Sequence, residues 1–219
     1  MIKIGILTIG QSPRDDVTPT MKRIFGEEIK VIERGGLDRF TEDQLHIIAP
    51  KSSEPTYISR LRNGKSIKIS KKKLLPLLQQ ELHQLEKEVD VTIMLCTGDF
   101  PTLKTKKPII FPDKVLTHMI KAIHSNGKLG LIIPLSEQKK SLNEKWNNLK
   151  EKIEVGVASP YADDDIEQEA KKLTENGVNM IVLDCMGYNE QHKKRAQSTS
   201  NIPVILPRTL VAHIAKEYV

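Results

Sequence analysis

Cysteine, aromatic residues and long apolar runs are all scarce in this sequence, and each scarcity removes a class of protein. Two cysteines among 219 residues, Cys96 and Cys185, are too few for a disulfide framework, so in a reducing compartment both are expected as free thiols. Phe, Trp and Tyr together make up only 4% of the chain. Without aromatics interleaved among the basic residues, it lacks the stacking platforms of a nucleic-acid groove. The formal charge is nonetheless +6, from 34 Lys and Arg against 28 Asp and Glu. The lysines fall in short runs such as Lys71-Lys72-Lys73 and Lys193-Lys194-Arg195, which read as solvated helix faces. No apolar run reaches the roughly 18 to 20 residues of a membrane helix. Met1-Ile2-Lys3-Ile4-Gly5 leads straight into a strand pattern with no signal-peptide cleavage site. The expectation is a cytoplasmic protein without nucleic-acid or membrane partners.

Metal and cofactor signatures are missing too. His46, His83, His118, His124 and His213 show no metal spacing with one another or with the cysteines, and Gly10 and Gly35-Gly36 belong to neither phosphate-cradling motif. No metal and no cofactor is expected.

What is present is an ordinary globular composition, 38% hydrophobic and 28% charged, in a chain long enough for one large domain or two small lobes. An apolar run over 2–9 ends at Gly10, followed by Gln11-Ser12-Pro13-Arg14 and a helix expected to open on Asp15 and Asp16, where carboxylates favour the macrodipole. A short strand over 29–33 is broken by Gly35-Gly36. Thr41-Glu42-Asp43-Gln44 has capping-box spacing for a short helix. Alternating segments at 56–61 and 65–70 flank Arg62-Asn63-Gly64, and Asn-Gly supplies the positive backbone angles of a tight hairpin. Ser70 then caps an amphipathic helix through Leu74, Leu78, Leu82 and Leu85, which delivers the chain to a buried strand over 91–95 and the loop Cys96-Thr97-Gly98-Asp99.

Beyond this point helices and strands alternate: a helix over 113–125, a strand over 128–133, a helix over 136–149 and a strand over 153–158. A helix over 162–176, led by Asp163-Asp164-Asp165, feeds a strand over 178–183 that stops at Asp184-Cys185-Met186-Gly187. A helix over 189–199, a strand over 203–206 and a terminal helix over 208–218 complete the chain. Near-continuous apolar strands separated by helices imply parallel sheets covered on both faces, with all strand-to-helix loops along one edge. Ligands of open α/β sheets bind at that edge.

The two halves repeat. Gly5-Ile6-Leu7-Thr8-Ile9 lies over Gly130-Leu131-Ile132-Ile133-Pro134, and the segment 91–98 lies over 180–187 with a one-place offset. From Gly5 to Cys96 is 91 positions and from Gly130 to Cys185 is 55; the excess, 91 − 55 = 36, is about the length of the hairpin segment 35–70. The expected fold is therefore α/β, two pseudo-symmetric parallel-sheet lobes with a β-hairpin insertion in the first. The lobes are expected over 1–112 plus 207–219 and over 113–206. Such symmetry is expected to bring Cys96 and Cys185 to opposite walls of one cleft, as thiolate base and thiol acid for inverting a carbon centre. The plainer reading of a free cysteine is a small buried hydrophobe. Against it stands the shared placement: both lie at strand carboxyl ends, and both are followed two residues later by a glycine, Gly98 and Gly187.

Leu7-Thr8-Ile9-Gly10-Gln11-Ser12-Pro13-Arg14 and Leu183-Asp184-Cys185-Met186-Gly187-Tyr188 resemble the AroM family over the whole chain. That family looks like a remote relative of the cofactor-independent aspartate/glutamate racemase superfamily, which includes hydantoin racemases, maleate isomerases and arylmalonate decarboxylases. The resemblance implies two pseudo-symmetric lobes with a catalytic cysteine in one or both. In those racemases the first cysteine usually precedes Asn-Thr and the second precedes Thr; here Cys96 precedes Thr97-Gly98 and Cys185 precedes Met186-Gly187. Carboxylate recognition is then expected from Gln11, Ser12, Arg14 and Thr97, with Gly98 and Gly187 in the contact loops and amides after Arg14 helping to hold an anion.

Three further residues are open to two readings. Asp99 and Asp184 either orient a thiol or a substrate amine, or cap adjacent helices. His192 is either a proton carrier leaning over the cleft or a solvated residue among Glu190, Gln191, Lys193 and Lys194. The leading expectation is a cofactor-independent racemase, isomerase or lyase of a small carboxylate. The alternatives are a non-catalytic protein that senses a small anionic metabolite, and a dithiol switch, which needs the sulfurs at bonding distance. A homo-oligomer is left open.

Overall fold

A computed structural model describes residues 1–52, 54–124, 126–139, 142, 145, 146, 153–162 and 165–219. The elements run β1 (Ile2–Thr8), α1 (Thr18–Phe25), β2 (Ile29–Gly35), a 3-10 helix (Glu42–Ile48), β3 (Thr56–Arg60), β4 (Ser66–Ser70), α2 (Lys71–Leu85), β5 (Val91–Leu95) and β6 (Ile109–Ile110). They continue with α3 (Pro112–Ile123), β7 (Lys128–Ile133), a 3-10 turn (Ser136–Gln138), β8 (Ile153–Val157), α4 (Ile166–Glu175), β9 (Val178–Leu183), α5 (Glu190–Ser200), β10 (Val204–Ile205) and α6 (Pro207–Tyr218). Two compact units result, residues 1–112 with 211–219 and residues 113–210.

The first unit holds a parallel sheet in the order β2-β1-β5-β6, and the second holds one in the order β10-β9-β7-β8. Read from its other edge the second order is β8-β7-β9-β10, so β7 corresponds to β1, β8 to β2, β9 to β5 and β10 to β6. The glycines aligned in the sequence repeat are equivalent in packing as well. A Cβ on Gly5 would lie 2.9 Å from the Leu85 side chain and 3.0 Å from Val89; one on Gly130 would lie 2.8 Å from Val178 and 3.1 Å from Leu173. In each unit the bare backbone of the central strand lets the helix and turn leading to the cysteine strand close onto it. Side chains at these two positions would push that crossover off the sheet.

Strand pleating then sorts the core. In the second unit Ile132, Ile181 and Leu183 pack on one face with Ala170, Leu173 and Ala196, while Leu129, Leu131, Ile133 and Val182 pack on the other with Leu116, Ile120 and Trp146. In the first unit Leu7, Leu37, Ile69, Leu74, Leu78, Leu82, Leu85 and Met94 form one apolar cluster that includes Cys96.

The inserted segment behaves as its turn chemistry predicts. β3 and β4 pair antiparallel from Thr56↔Ser70 to Arg60↔Ser66, and Gly64 takes the left-handed conformation, φ 82°. The Thr41/Gln44 capping box forms at the start of a 3-10 helix, and Ser70 accepts from the Lys73 amide at 3.5 Å to open α2.

Two local expectations change. The helix expected to open on Asp15 and Asp16 begins later, at Thr18, because the Arg14 carbonyl accepts the amides of Val17 and Thr18, each at 2.8 Å, in a preceding turn. Asp16 faces Arg14 instead of the helix amides. The helix expected over 162–176 is confined to Ile166–Glu175, where the Asp165 side chain accepts from the Gln168 amide as N-cap; Asp163 and Asp164 lie outside the described residues. Half of the helix expected over 136–149 also lies outside them. Among the described residues, no helix is long and apolar enough to cross a membrane.

Candidate functional site

Parallel strands β1 and β5 are neighbours, Thr8 opposite Leu95, so the loop after β1 and the loop after β5 leave the same edge of the first sheet. Gln11, buried, donates Nε2 to the carbonyls of Phe40 at 3.2 Å and Leu37 at 3.4 Å, and its Oε1 accepts the Arg62 amide at 3.2 Å. Ser12 gives its amide and hydroxyl to the two oxygens of Asp38 at 2.6 and 2.7 Å. Arg62 grips the same place from the hairpin, with Nη2 on Asp38 at 2.8 Å and Nε on the Ser12 carbonyl. The Ser12–Pro13 peptide is cis.

Arg14, expected among the carboxylate contacts, holds a carboxylate bidentately, that of Asp16. Its Nε reaches Oδ1 at 2.7 Å and its Nη2 reaches Oδ2 at 2.8 Å. Its Nη1 donates to the hydroxyls of Thr8 and Ser59, both at 3.1 Å. The inserted hairpin, through Ser59 and Arg62, thus braces the loop that carries Gln11, Ser12 and Arg14.

The cysteine loops follow one design in the two units. The Cys96 amide donates to the Met94 carbonyl at 2.9 Å and the Cys185 amide to the Leu183 carbonyl at 2.7 Å. This folds the chain back so that each sulfur accepts a glycine amide two residues on, Gly98 at 3.3 Å and Gly187 at 3.4 Å. A sulfur placed to accept an amide N–H is better suited to the thiolate than to the thiol. Each glycine is also covered by a tyrosine: a Cβ on Gly98 would lie 2.5 Å from the Tyr57 ring, and one on Gly187 would lie 2.5 Å from the Tyr161 hydroxyl oxygen. Tyr57 and Tyr161 come from equivalent stretches of chain, between β2 and α2 and between β8 and α4.

Around Cys96, Thr97 is buried, the Tyr57 hydroxyl donates to the Asp99 carbonyl at 3.0 Å, and the Asp99 carboxylate pairs with Lys71 at 2.5 Å. Around Cys185, the carboxylate of Asp184 is buried and accepts from Lys145 at 2.5 Å and from Trp146 Nε1 at 3.2 Å. Both aspartates therefore sit in ion pairs beside their cysteines. Cys96 is buried, whereas Cys185 is partly exposed.

His192 lies in the first turn of α5, where it completes a reciprocal cap with Asn189: its amide donates to Asn189 Oδ1 at 3.0 Å and its Nδ1 accepts the Asn189 amide at 3.1 Å. Its ring meets the Tyr188 ring edge-on, 5.6 Å between centroids. Burial, with the charges of Arg195 and Arg208, pushes its pKa below the ordinary histidine value against an opposing pull from Glu167. Accepting at Nδ1, the neutral ring carries its proton on Nε2.

Several residues at these loops were not singled out from sequence. Arg208, at the start of α6, is buried and donates Nε to the Met186 carbonyl at 3.2 Å and Nη2 to the Gly187 carbonyl at 2.7 Å. Tyr188 donates its hydroxyl to the Ala158 carbonyl at 2.5 Å. Three of the four tyrosines in the chain and its one tryptophan gather at the cysteine loops. Their rarity elsewhere was the signal available. Among the described residues, no group of three or more His, Cys, Asp or Glu side chains comes together as a metal site.

Two parallel sheets of one topology, each ending its third strand in a cysteine held by a glycine amide, define an α/β protein of the aspartate/glutamate racemase type. Solved structures share this fold. The allantoin racemase from Pseudomonas fluorescens superposes with a TM-score of 0.65 at 12% identity, over 99% of this chain and 90% of that one. The glutamate racemase from Aquifex pyrophilus gives 0.60 at 12% identity over 100% and 84%, and the maleate isomerase from Pseudomonas putida S16 gives 0.57 at 13% over 99% and 92%. Likeness at such identities establishes the fold alone. The chain belongs to the AroM family, whose model, described as AroM protein, matches residues 4–219. No curated protein matches the chain.

Proposed function

We infer that this chain is a cofactor-independent racemase or isomerase of a small carboxylate, with Cys96 and Cys185 as its proton carriers. The thiolate of one cysteine takes a proton from the carbon beside the carboxylate, and the thiol of the other returns one, so the protein's proton count is unchanged and the two sulfurs exchange states. The observation that carries this reading is the repeated turn in which Gly98 and Gly187 offer their amides to the two sulfurs at 3.3 and 3.4 Å. The anion contacts of this reading are Thr97 and Gly98 beside Cys96, with Gln11, Ser12 and Arg14 in the braced loop of the same unit, and Gly187 beside Cys185. The named activities of two similarly folded proteins, a racemase of glutamate and an isomerase of maleate, agree with the substrate class; the racemase of allantoin, which has no carboxylate, agrees with the reaction type alone.

Solvent-deuterium exchange tests the reading. Small carboxylic acids with an acidic α-proton are incubated with the full chain in deuterated buffer and followed by proton NMR, beside Cys96→Ser and Cys185→Ser. Loss of the α-proton signal with wild type, abolished in both folded variants, is expected. Exchange that survives both substitutions overturns the assignment of the cysteines. Absence of exchange together with ligand-induced thermal shifts that survive both substitutions makes the chain a binding protein instead.

A further inference from the structure

Arg208 is among the largest fully buried side chains of the protein, and it spends two of its donors on the backbone immediately after Cys185. One of those bonds bears directly on the sulfur. The Met186 carbonyl and the Gly187 N–H are the two ends of a single peptide unit. Arg208 Nε holds its oxygen at 3.2 Å, and its N–H points at Cys185 Sγ at 3.4 Å. A cation bound to the oxygen of an amide draws charge away from its N–H and strengthens it as a donor. It also fixes the plane of that amide. The second bond, Nη2 to the Gly187 carbonyl at 2.7 Å, secures the next peptide, so the turn that aims the donor at the sulfur is held from beneath at both units.

The remaining charges around the loop are arranged so that they do not oppose this. Asp184, adjacent to Cys185 in the chain, is paired with Lys145 at 2.5 Å and bonded to Trp146. Arg195 of α5 is paired with Glu167 of α4 at 2.6 Å. His192, also on α5, is held toward its neutral form, in part by the charge of Arg208 itself. β10 contributes only Val204 and Ile205, and Tyr161 and Pro160 face the loop from the segment after β8.

We propose that Arg208 is the positioning residue of Cys185: by gripping the oxygen of the 186–187 peptide whose N–H holds the sulfur, it favours the thiolate and makes Cys185 the more readily ionised of the two cysteines. The inference rests on the proton-carrier reading for its use in catalysis, but the ionisation is measured without any substrate, so failure of one is distinguishable from failure of the other.

The full-length wild-type chain is alkylated with iodoacetamide across a pH series, and the rate at each cysteine is read by peptide mass spectrometry, with Arg208→Met and Arg208→Lys alongside. Cys185 is expected to titrate below the free-thiol value of about 8.5 and below Cys96, which is buried in the apolar cluster of the first unit. Arg208→Met raises the midpoint for Cys185 by about one unit, slowing alkylation near neutrality about tenfold, and leaves Cys96 unchanged. Arg208→Lys, which keeps the charge but loses the two-pronged grip, restores part of the shift. A merely structural role for Arg208 would loosen the loop and speed alkylation without moving the midpoint. A wild-type Cys185 midpoint at or above that of Cys96, or an unmoved midpoint in folded Arg208→Met, overturns the proposal. If Arg208→Met does not fold, the wild-type ordering of the two midpoints and the upward shift expected in Arg208→Lys decide it.

Discussion

Gly187 lies so close under Tyr161 that a methyl group in place of its hydrogen would sit 2.5 Å from the phenolic oxygen and 2.9 Å from Pro160. Gly187→Ala is therefore expected to displace Tyr161 or the cysteine turn, at a cost of about 1–3 kcal/mol of overpacking, measured by denaturant unfolding. Truncating the ring in a Gly187→Ala/Tyr161→Ala double variant removes the contact with Tyr161 and leaves the one with Pro160, so the two substitutions combine to less than their sum. Strict additivity would show that the two residues do not press on one another.

Trp146 reports on the ion pair beside Cys185. Its Nε1 donates to the Asp184 oxygen not taken by Lys145, and it is the only tryptophan in the chain. Removing one member of a buried pair leaves the other charge uncompensated, so Lys145→Met is expected to lower stability by about 3–5 kcal/mol. Asp184→Ala frees the indole N–H and shifts tryptophan emission. Unchanged emission together with unchanged stability would contradict the network.

The His192 cap gives the fold a pH response. Burial, Arg195 and Arg208 depress its pKa below 6.5, so the unfolded chain takes up a proton at that position before the folded chain does. The contribution is fully present above pH 6.5 and is lost as pH falls from there through the folded value. Thermal midpoints of wild type should decline between pH 7 and 5. His192→Gln, which keeps an acceptor for the Asn189 amide, should decline less steeply. Parallel pH curves for the two proteins would sink this assignment.

Glu86 sets the opposite end of the range. Burial pushes its carboxyl up, but the Thr105 hydroxyl and the amides of Lys107 and Lys106 together outweigh burial and hold it below 4.5. Its stabilisation is present above that value and fades as pH drops through the folded one. Glu86→Gln is expected to be less stable than wild type at neutral pH by about 1–2 kcal/mol, the difference between charge-assisted and neutral hydrogen bonds. The gap should close in acid. A gap that stays constant down to pH 2 would rule out the carboxylate as its cause.

The sheets and the repeat were legible because they rest on local pattern. Apolar runs located β7 and β9 at their observed bounds, 128–133 and 178–183, and Asn63-Gly64 announced the hairpin. The two-residue strand β6, Ile109–Ile110, was invisible, since so short a segment has no period to detect. The nominated loop residues were harder still. What Gln11 and Ser12 do is decided by Phe40, Asp38 and Arg62, which lie 26 to 51 positions away in the chain, and Arg14 adds a bond to Ser59, 45 positions on, to its local pair with Asp16. Arg208 escaped notice for the same reason: a helix-start arginine reads as surface until tertiary packing buries it against Met186 and Gly187.

Two units of one topology in a single chain carry their own control. Both sulfurs accept an amide from the same kind of turn, at distances differing by a tenth of an ångström, so one reagent in one tube interrogates two like turns. Whatever separates their responses must arise from their surroundings, foremost the arginine bonded to the turn of one and the deeper burial of the other.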